Sequence, residues 1–300
     1  MISRFLDGDF FYSFRRNPIA VGSALVVLIV LIGAVFSPWL APHNPFDLAS
    51  LNLLDSFKPP VFIGGDAINP LGTDDQGRDV LSTIMYGTRI SLFVGVLAIA
   101  FSLIVGISIG LLAGYLGGVA DAVLMRIADI QLTFPTILIA LLVDGVVRAL
   151  LPHEFHERME IYVLVFAIGV ARWPQFARTV RGSTLVERSK EYIMAARVIG
   201  LGSGRIMASH ILPNVLGPVL VIATLNLGLA ILDEATLSFL GVGLPPTQPS
   251  LGTLIRIGND FLFSGEWWIT VFPGITLALM VLSINLLGDW LRDALNPRLR

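Results

Sequence analysis

The chain has 300 residues, of which 55% are hydrophobic and 14% charged, and its mean hydropathy is +0.79. A soluble domain carries about 25% charged residues, so the composition excludes a soluble enzyme or a nucleic-acid-binding module and predicts an all-α integral membrane protein. The net charge is −2, and the absence of cysteine rules out disulfides and thiolate metal sites within the chain.

Six apolar runs follow in chain order, over residues 17–42, 90–120, 130–143, 161–171, 211–232 and 267–288. About 20 apolar residues cross a hydrocarbon core of ~30 Å, so the first, second, fifth and sixth runs suffice by themselves. The third is completed backwards through Ile127, Ala128 and Asp129, and the fourth forwards through Arg172, Trp173 and Pro174, each with a charge near one end that can snorkel. Six transmembrane helices are therefore expected. Arg15 and Arg16 precede the first run, but its apolar stretch over 19–36 exceeds the roughly 7–15 residues of a cleaved export signal, which predicts an uncleaved span. All five tryptophans, Trp39, Trp173, Trp267, Trp268 and Trp290, fall at run ends, where an aromatic belt places them.

With the N-terminus inside, 14 of the 20 Lys and Arg residues lie in cytoplasmic segments, and 14 of the 22 Asp and Glu residues lie outside. The Lys/Arg bias sets orientation, so both termini are expected in the cytoplasm. The first span is followed by a long external stretch, 38–89, punctuated by Pro59, Pro60, Gly64 and Gly65. At its end, Thr73 or Asp74 is expected to cap a helix starting near Asp75 that leads into the second span. Three units result. Residues 1–87 hold the N-terminus, first span and external loop, residues 88–288 a membrane core domain, and residues 289–300 a cytoplasmic tail.

Several polar groups require both a structural and a functional reading. Asp129 is expected to pair with Arg126 at i−3, or else to line a pathway, since an unpaired carboxylate inside a bilayer costs ~3 kcal/mol or more. Asp233 and Glu234 close the fifth run on the external side, as markers of the water interface or as pathway groups. In the external run His153-Glu154-x-His156-Glu157 the two histidines, at i and i+3, could share a helix face and hold a divalent metal, but the spacing is not H-E-x-x-H, and a solvated polar loop is the expectation.

Between the fourth and fifth runs lies EYIMAARVIGLGSGRIMASHILPN, residues 191–214. Tyr192, Ala195, Ala196 and Ile199 recur at helical spacing, with Glu191, Lys190 and Arg197 left for solvent or polar partners. The alanines permit close approach of another backbone, and Gly200, Gly202 and Gly204 allow a reversal. Pro213 is expected in the first turn of the fifth span, where its missing N–H costs little. The alternative is a plain interfacial helix held by arginine–phosphate attraction.

The spacing of Ala195, Ala196, Gly200, Leu212 and Pro213 resembles the EAA signature of permeases in ATP-binding-cassette importers, with Met194 in place of its Glu and His210 in place of its Ile. Glu191, one turn earlier, can supply the acidic group. LGTDDQGRDVLSTIMYGTRISL at 71–92, MRIADI with TFP within 125–135, ATLSFLGVGLPPTQPSLGTLI at 235–255 and NLLGDWLRDALNPRLR at 285–300 extend the likeness to the C-type permeases of dipeptide and oligopeptide importers. That resemblance implies a six-helix type I importer subunit in a bacterial cytoplasmic (inner) membrane. It implies a second homologous permease, two cytoplasmic ATPases that bind ATP and Mg, and an external solute-binding protein. It also assigns coupling to the loop from Glu191 and Tyr192 to Pro213, and di- or oligopeptides, or alternatively nickel or another small solute, as cargo.

An ATP site within the chain is not expected. The only lysines, Lys58 and Lys190, follow Phe57 and Ser189 rather than a phosphate-loop glycine. Four scattered histidines and no G-x-S-x-G run in place give no catalytic constellation. A secondary transporter, with inverted repeats about a midplane site, is the remaining class, and no paired halves are visible.

Overall fold

The computed structural model describes residues 9–47, 51–150, 152–245 and 247–294, with the backbone alone for 9–11 and 153–158. Among them the regular elements are helical, apart from one isolated bridge between Thr73 and Asp79. A short α1 (Asp9–Arg16) sets the edge of Phe14 against Trp290, ring centroids 5.0 Å apart. Asn17 then caps α2 (Pro18–Val35), accepting from the N–H groups of Ile19 and Ala20 at 3.1 Å. Pro18 occupies the first position, where no donor is needed. α2 is apolar all round and leaves Leu25, Leu28 and Ile29 exposed, as a lipid-facing helix does.

α3 (Val80–Leu116) has 37 residues, about 56 Å at 1.5 Å per residue, nearly twice the hydrocarbon thickness. Its cap is Asp79, which accepts from the Ser82 N–H at 2.7 Å and its hydroxyl at 2.6 Å. The expected start near Asp75 is thus corrected by five residues. Asp74 is consumed in the loop before the helix, accepting from the N–H groups of Gln76 and Arg78 at 2.9 Å and pairing with Arg78 Nε at 2.6 Å. Thr73 bridges Lys58 N–H and the Asp55 carbonyl.

The third run is not one straight helix. α4 (Gly118–Thr133) and α5 (Thr136–Leu150) meet at 93°. Pro135 has no N–H and forces the residue before it out of the helical region, and Phe134 is extended at φ −89°, ψ 126°. α6 (His153–Glu187) follows, then α7 (Glu191–Val198), α8 (Ser203–Phe239), α9 (Leu251–Asn259) and α10 (Trp268–Ala294). By length and apolarity α2, α3, α8 and α10 can cross a membrane, and the bent α4–α5 pair makes five. α6 occupies the place of the expected fourth span and has 35 residues, yet it stands outside that class. The six-span count therefore rests, for α6, on position and length.

α6 is held in the bundle by its contact with α3. Gly106, Gly110 and Gly114 form a stripe at four-residue spacing that faces it. A Cβ on Gly106 would fall 2.5 Å from Phe176 Cβ; on Gly110, 2.6 Å from the Ala177 carbonyl oxygen; on Gly114, 2.7 Å from Thr184 Cβ. Small residues at this spacing let two backbones meet, which is how helices associate where lipid supplies no hydrophobic contrast. The core assembled on this seam contains Val94, Ala98, Leu164, Ile168, Phe176, Val180, Ile211, Val215 and Val219, from α3, α6 and α8. A second cluster joins α3 to α9 and α10 through Ile84, Ile231, Leu254, Ile269 and Met280.

The seam gives a test. Gly110→Leu should overpack a site with no room, a cost of typically 1–3 kcal/mol or more, and lower both yield and thermal unfolding temperature in detergent. Gly182→Ala, on α6 with nothing within 4 Å of the added carbon, should leave both unchanged.

Candidate functional site

α6 ends at Glu187, and after Arg188, Ser189 and Lys190 the chain turns into α7. α7 stops by a glycine-dependent cap. Gly200 adopts φ +82°, donates to the Arg197 carbonyl at 3.0 Å, and Leu201 donates to the Ala196 carbonyl at 3.1 Å, the two bonds of a Schellman motif. No neighbour lies within 4 Å of a Cβ built on Gly200. Conformation, rather than crowding, selects glycine there.

The faces of α7 differ from the expected division. Ile193 and Ala196, at i and i+3, are buried in the chain's own core beside Ile206 and Ile211. Ala196 is 4% exposed, so the close approach that its small side chain permits is made by the chain's own core. Ala195 and Met194 remain exposed, with Val198 at 87% and Ile199 at 75%. Glu191, exposed in the first turn, is placed where a carboxylate favours the helix dipole.

Three anchors fix α7 to the bundle. Arg197 lies over the Tyr115 ring at 5.0 Å, and Arg188 donates to the Gly114 and Tyr115 carbonyls at 2.8 and 3.2 Å, so both reach the C-terminal end of α3. The Tyr192 hydroxyl donates to Glu187, which Lys190 also pairs at 2.7 Å, and accepts from Asn214 Nδ2 at 3.0 Å. Burial first, and the Glu187 acceptor second, push the Tyr192 phenol up to about 12. It therefore stays a neutral donor at physiological pH.

Pro213 does not open the fifth span. α8 already runs from Ser203, and Leu212 and Pro213 lie inside it, just past a π-turn at Met207–Ile211 closed by Leu212 N–H to the Met207 carbonyl. A wider turn re-satisfies the backbone where proline cannot donate. Asn214 then donates to the His210 carbonyl at 2.7 Å.

The charged groups of the apolar segments also depart from expectation. Asp129 pairs with Arg178 of α6, not with Arg126. Arg172, expected at the cytoplasmic end of a span, is buried mid-helix and donates Nε and Nη2 to one oxygen of Asp233 at 2.9 and 2.6 Å, and Nη1 to Asn226 at 3.1 Å. Asp233, expected on the outer side, is thus joined to a residue counted on the inner side, because α6 is longer than its apolar run and carries Arg172 inward. Glu234 is fully buried; Ser238 donates to it at 2.7 Å, and the Ser91 and Ser250 hydroxyls lie beside it. The structure leaves Asp129 on the α4–α6 contact and brings Asp233 and Glu234 to the α6–α8 and α3–α9 contacts. The side chains of His153, Glu154, His156 and Glu157 lie outside the described residues; among the described residues no group of three or more His, Cys, Asp or Glu is placed to hold a metal. Arg188, Arg197, Asn214 and Asn226 were missed as site residues. Asn226 and Arg172 were readable as isolated polar residues in apolar segments, whereas the other three were not.

A bundle of long apolar helices, with one short amphipathic helix projecting at a break between two of them, defines a multi-span membrane component of a transport system. The fold is that of the inward-facing methionine transporter MetNI, an ABC transporter, with a TM-score of 0.54 at 19% identity over 71% of this chain and 96% of that chain. A second crystal form of it gives 0.53 at 22% identity, over 69% and 93%. Residues 106–300 match the model of the binding-protein-dependent transport system inner membrane component, and the chain belongs to that family. Residues 7–60 match the N-terminal TM domain of oligopeptide transport permease C. Among curated relatives, the dipeptide transport system permease protein DppC of Escherichia coli (strain K12) is 42% identical over 97% of this chain and 93% of its own length. The di/tripeptide transport system permease protein DppC of Pseudomonas aeruginosa (strain UCBPP-PA14) is 39% identical over 97% and 92%, and the DppC of Haemophilus influenzae 37% over 97% and 95%.

Removing one partner of a buried ion pair strands the other. Arg172→Met should therefore destabilise the protein by about 3–5 kcal/mol, and Arg172→Met with Asp233→Leu should recover most of it. Thermal unfolding in detergent of Arg172→Met, Asp233→Leu and the double variant measures the difference; a loss in the double variant equal to the sum of the two single losses would show that the pair is not coupled.

Proposed function

We propose that the chain is one permease half of an ATP-driven importer for di- and oligopeptides, delivered by an external solute-binding protein. The peptide reading is supported by the names of relatives at about 40% identity across nearly the whole chain, which favour it over nickel chelates and other small solutes. The assembly comprises a second homologous permease, two cytoplasmic ATPases carrying ATP and Mg, and surrounding lipid, and this chain supplies no ATP site. Both termini face the cytoplasm: the Lys/Arg asymmetry favours it, and the Phe14–Trp290 contact sets α1 beside the end of α10. Residues 1–87 carry the first span and external loop, 88–288 the transport core and 289–300 the tail.

The observation that carries the coupling role is α7 itself. It is a short helix whose inner face is buried and whose outer face, Met194, Ala195, Val198 and Ile199, is apolar and exposed. Such a ridge fits an ATPase groove, which reads helices through anchors at helical spacing. Tyr192 and Gly200 hold its two ends, and Leu212 and Pro213 follow the π-turn within α8.

Gly200→Val should strain the cap by roughly 1–3 kcal/mol, and Val198→Asp should place a charge in the docking surface without touching the chain's own core. Both variants should still insert and pair with the second permease, yet lose ATPase co-purification or hydrolyse ATP without uptake. Unchanged transport by Val198→Asp would remove α7 from the mechanism, and saturable ATP-independent uptake by the chain alone would overturn the importer assignment.

A further inference from the structure

The geometry points to a contact for the carboxylate end of the transported peptide at the outer ends of α3 and α6, with Arg89 as its charged group; this rests on the peptide-importer reading above. A groove of about 590 Å³ opens there between Phe46, Tyr86, Arg89, Phe93, Thr247 and Gln248. Ligand sites for small molecules span roughly 300–1,000 Å³ and combine apolar walls with a few polar groups. This groove has that composition. Phe46 and Tyr86 meet edge to face at 5.2 Å, Phe93 is half exposed, and Tyr86, Thr247 and Gln248 bring a phenol, a hydroxyl and an amide.

Arg89 is the group that gives the groove a sign. Five other arginines of the transport core are paired: Arg148 with Asp144, Arg172 with Asp233, Arg178 with Asp129, Arg181 with Asp121, and Arg188 with two carbonyls. Arg89 is exposed, and no hydrogen bond or ion pair engages it among the described residues. A guanidinium presents a planar fork matched to a carboxylate.

The groove is also built to keep its shape. Its far wall, the segment carrying Thr247 and Gln248, is tied to α3 where Leu251 N–H donates to Ser91 at 3.2 Å, and Ser250 of the same segment lies beside the buried Glu234 of α8. The segment approaches so closely that a Cβ on Gly252 would lie 2.2 Å from the Ala235 carbonyl oxygen, and one on Gly87 3.0 Å from Leu254 Cδ1. A rigid wall lowers the ordering cost of a weak, transient contact, which suits a carrier that must release its cargo.

The test uses the complete transporter in proteoliposomes, with its binding protein loaded with Ala-Phe or with Ala-Phe amide and the loaded concentration titrated directly. Wild type should show a lower half-saturation for Ala-Phe than for the amide. Arg89→Gln should raise the Ala-Phe value roughly tenfold or more, the scale of a lost charged hydrogen bond, and leave the amide value unchanged, with Arg89→Lys between. ATPase stimulation by saturating loaded binding protein should be retained. If the binding protein refuses the amide, alanyl-p-benzoylphenylalanine decides: photolysis should label the segment 86–93 in wild type and lose that label in Arg89→Gln. Equal loss for both peptides, or labelling indifferent to Arg89, overturns the proposal; a loss that instead follows the phosphatidylglycerol content of the vesicles assigns Arg89 to a lipid phosphate. Failure of wild type to import any peptide would count against the peptide reading itself.

Discussion

Because Gly106, Gly110 and Gly114 carry no side chain, α3 and α6 run against each other nearly backbone to backbone, and most of what gives the protein its working parts is hung on that seam. α6 is too polar to be held in a bilayer by its own apolarity. It carries Arg172, Arg178 and Arg181 within its length, and each finds a carboxylate on a neighbouring helix only because α3 fixes its depth and rotation. In lipid, apolar side chains gain little by exchanging lipid for protein, so close packing and interhelical hydrogen bonds carry the association. The glycine stripe supplies the first and the arginines the second. A larger residue in the stripe would displace α6 and with it all three pairs.

The same seam connects the two ends of the molecule. At the C-terminal end of α3, the Gly114 and Tyr115 carbonyls receive Arg188, and the Tyr115 ring receives Arg197, so α7 is fastened to the helix whose opposite end carries Tyr86, Arg89 and Phe93. Glu187 and Asn214 fasten α7 to α6 and α8 through Tyr192. A force on α7 thus acts on three helices at once. Rigid packed elements with discrete contacts, rather than a compliant loop, are what carry displacement across tens of ångströms.

Much of this was legible in the sequence, and the failures have physical causes. The apolar runs located α2, α3, α8 and α10, and the spacing from Ala195 to Pro213 located α7 and its stop at Gly200, because periodicity and glycine report local backbone preferences that the bundle does not override. The ends of elements were less accessible. Asp74 and Asp79 are equally good caps in isolation, and only the bond from Asp74 to Arg78 decides between them. Likewise Arg172 looked like a snorkelling flank because its neighbours Trp173 and Pro174 resemble a span end; its partners Asp233 and Asn226 stand 61 and 54 residues away. Helical spacing placed Ala195 and Ala196 together, yet adjacent residues on a helix diverge by 100°, and the bundle took Ala196 and left Ala195. The bend at Phe134–Pro135 was written in the proline and was not used.

The entry of the chain into α8 shows how a signature proline can serve motion as well as punctuation. Had Pro213 begun a helix, as its sequence context suggests, α7 would join the fifth span through a flexible link, and displacement of α7 would dissipate there. Instead the helix begins ten residues earlier at Ser203, and the defect introduced by Pro213 is absorbed by one π-turn, Met207–Ile211, whose residue Ile211 is buried in the main core. A π-turn is a helix with one residue too many, able to exchange register with α-helix at the cost of few bonds. It lies beside the Tyr192–Asn214 contact, on the segment that must bend if α7 moves while the C-terminal half of α8 stays tied to α6 by Asp233. The half of α8 tied to α6 by Asp233 and the register-tolerant π-turn divide that helix into a stiff part and a bendable part, and the bendable part lies next to α7.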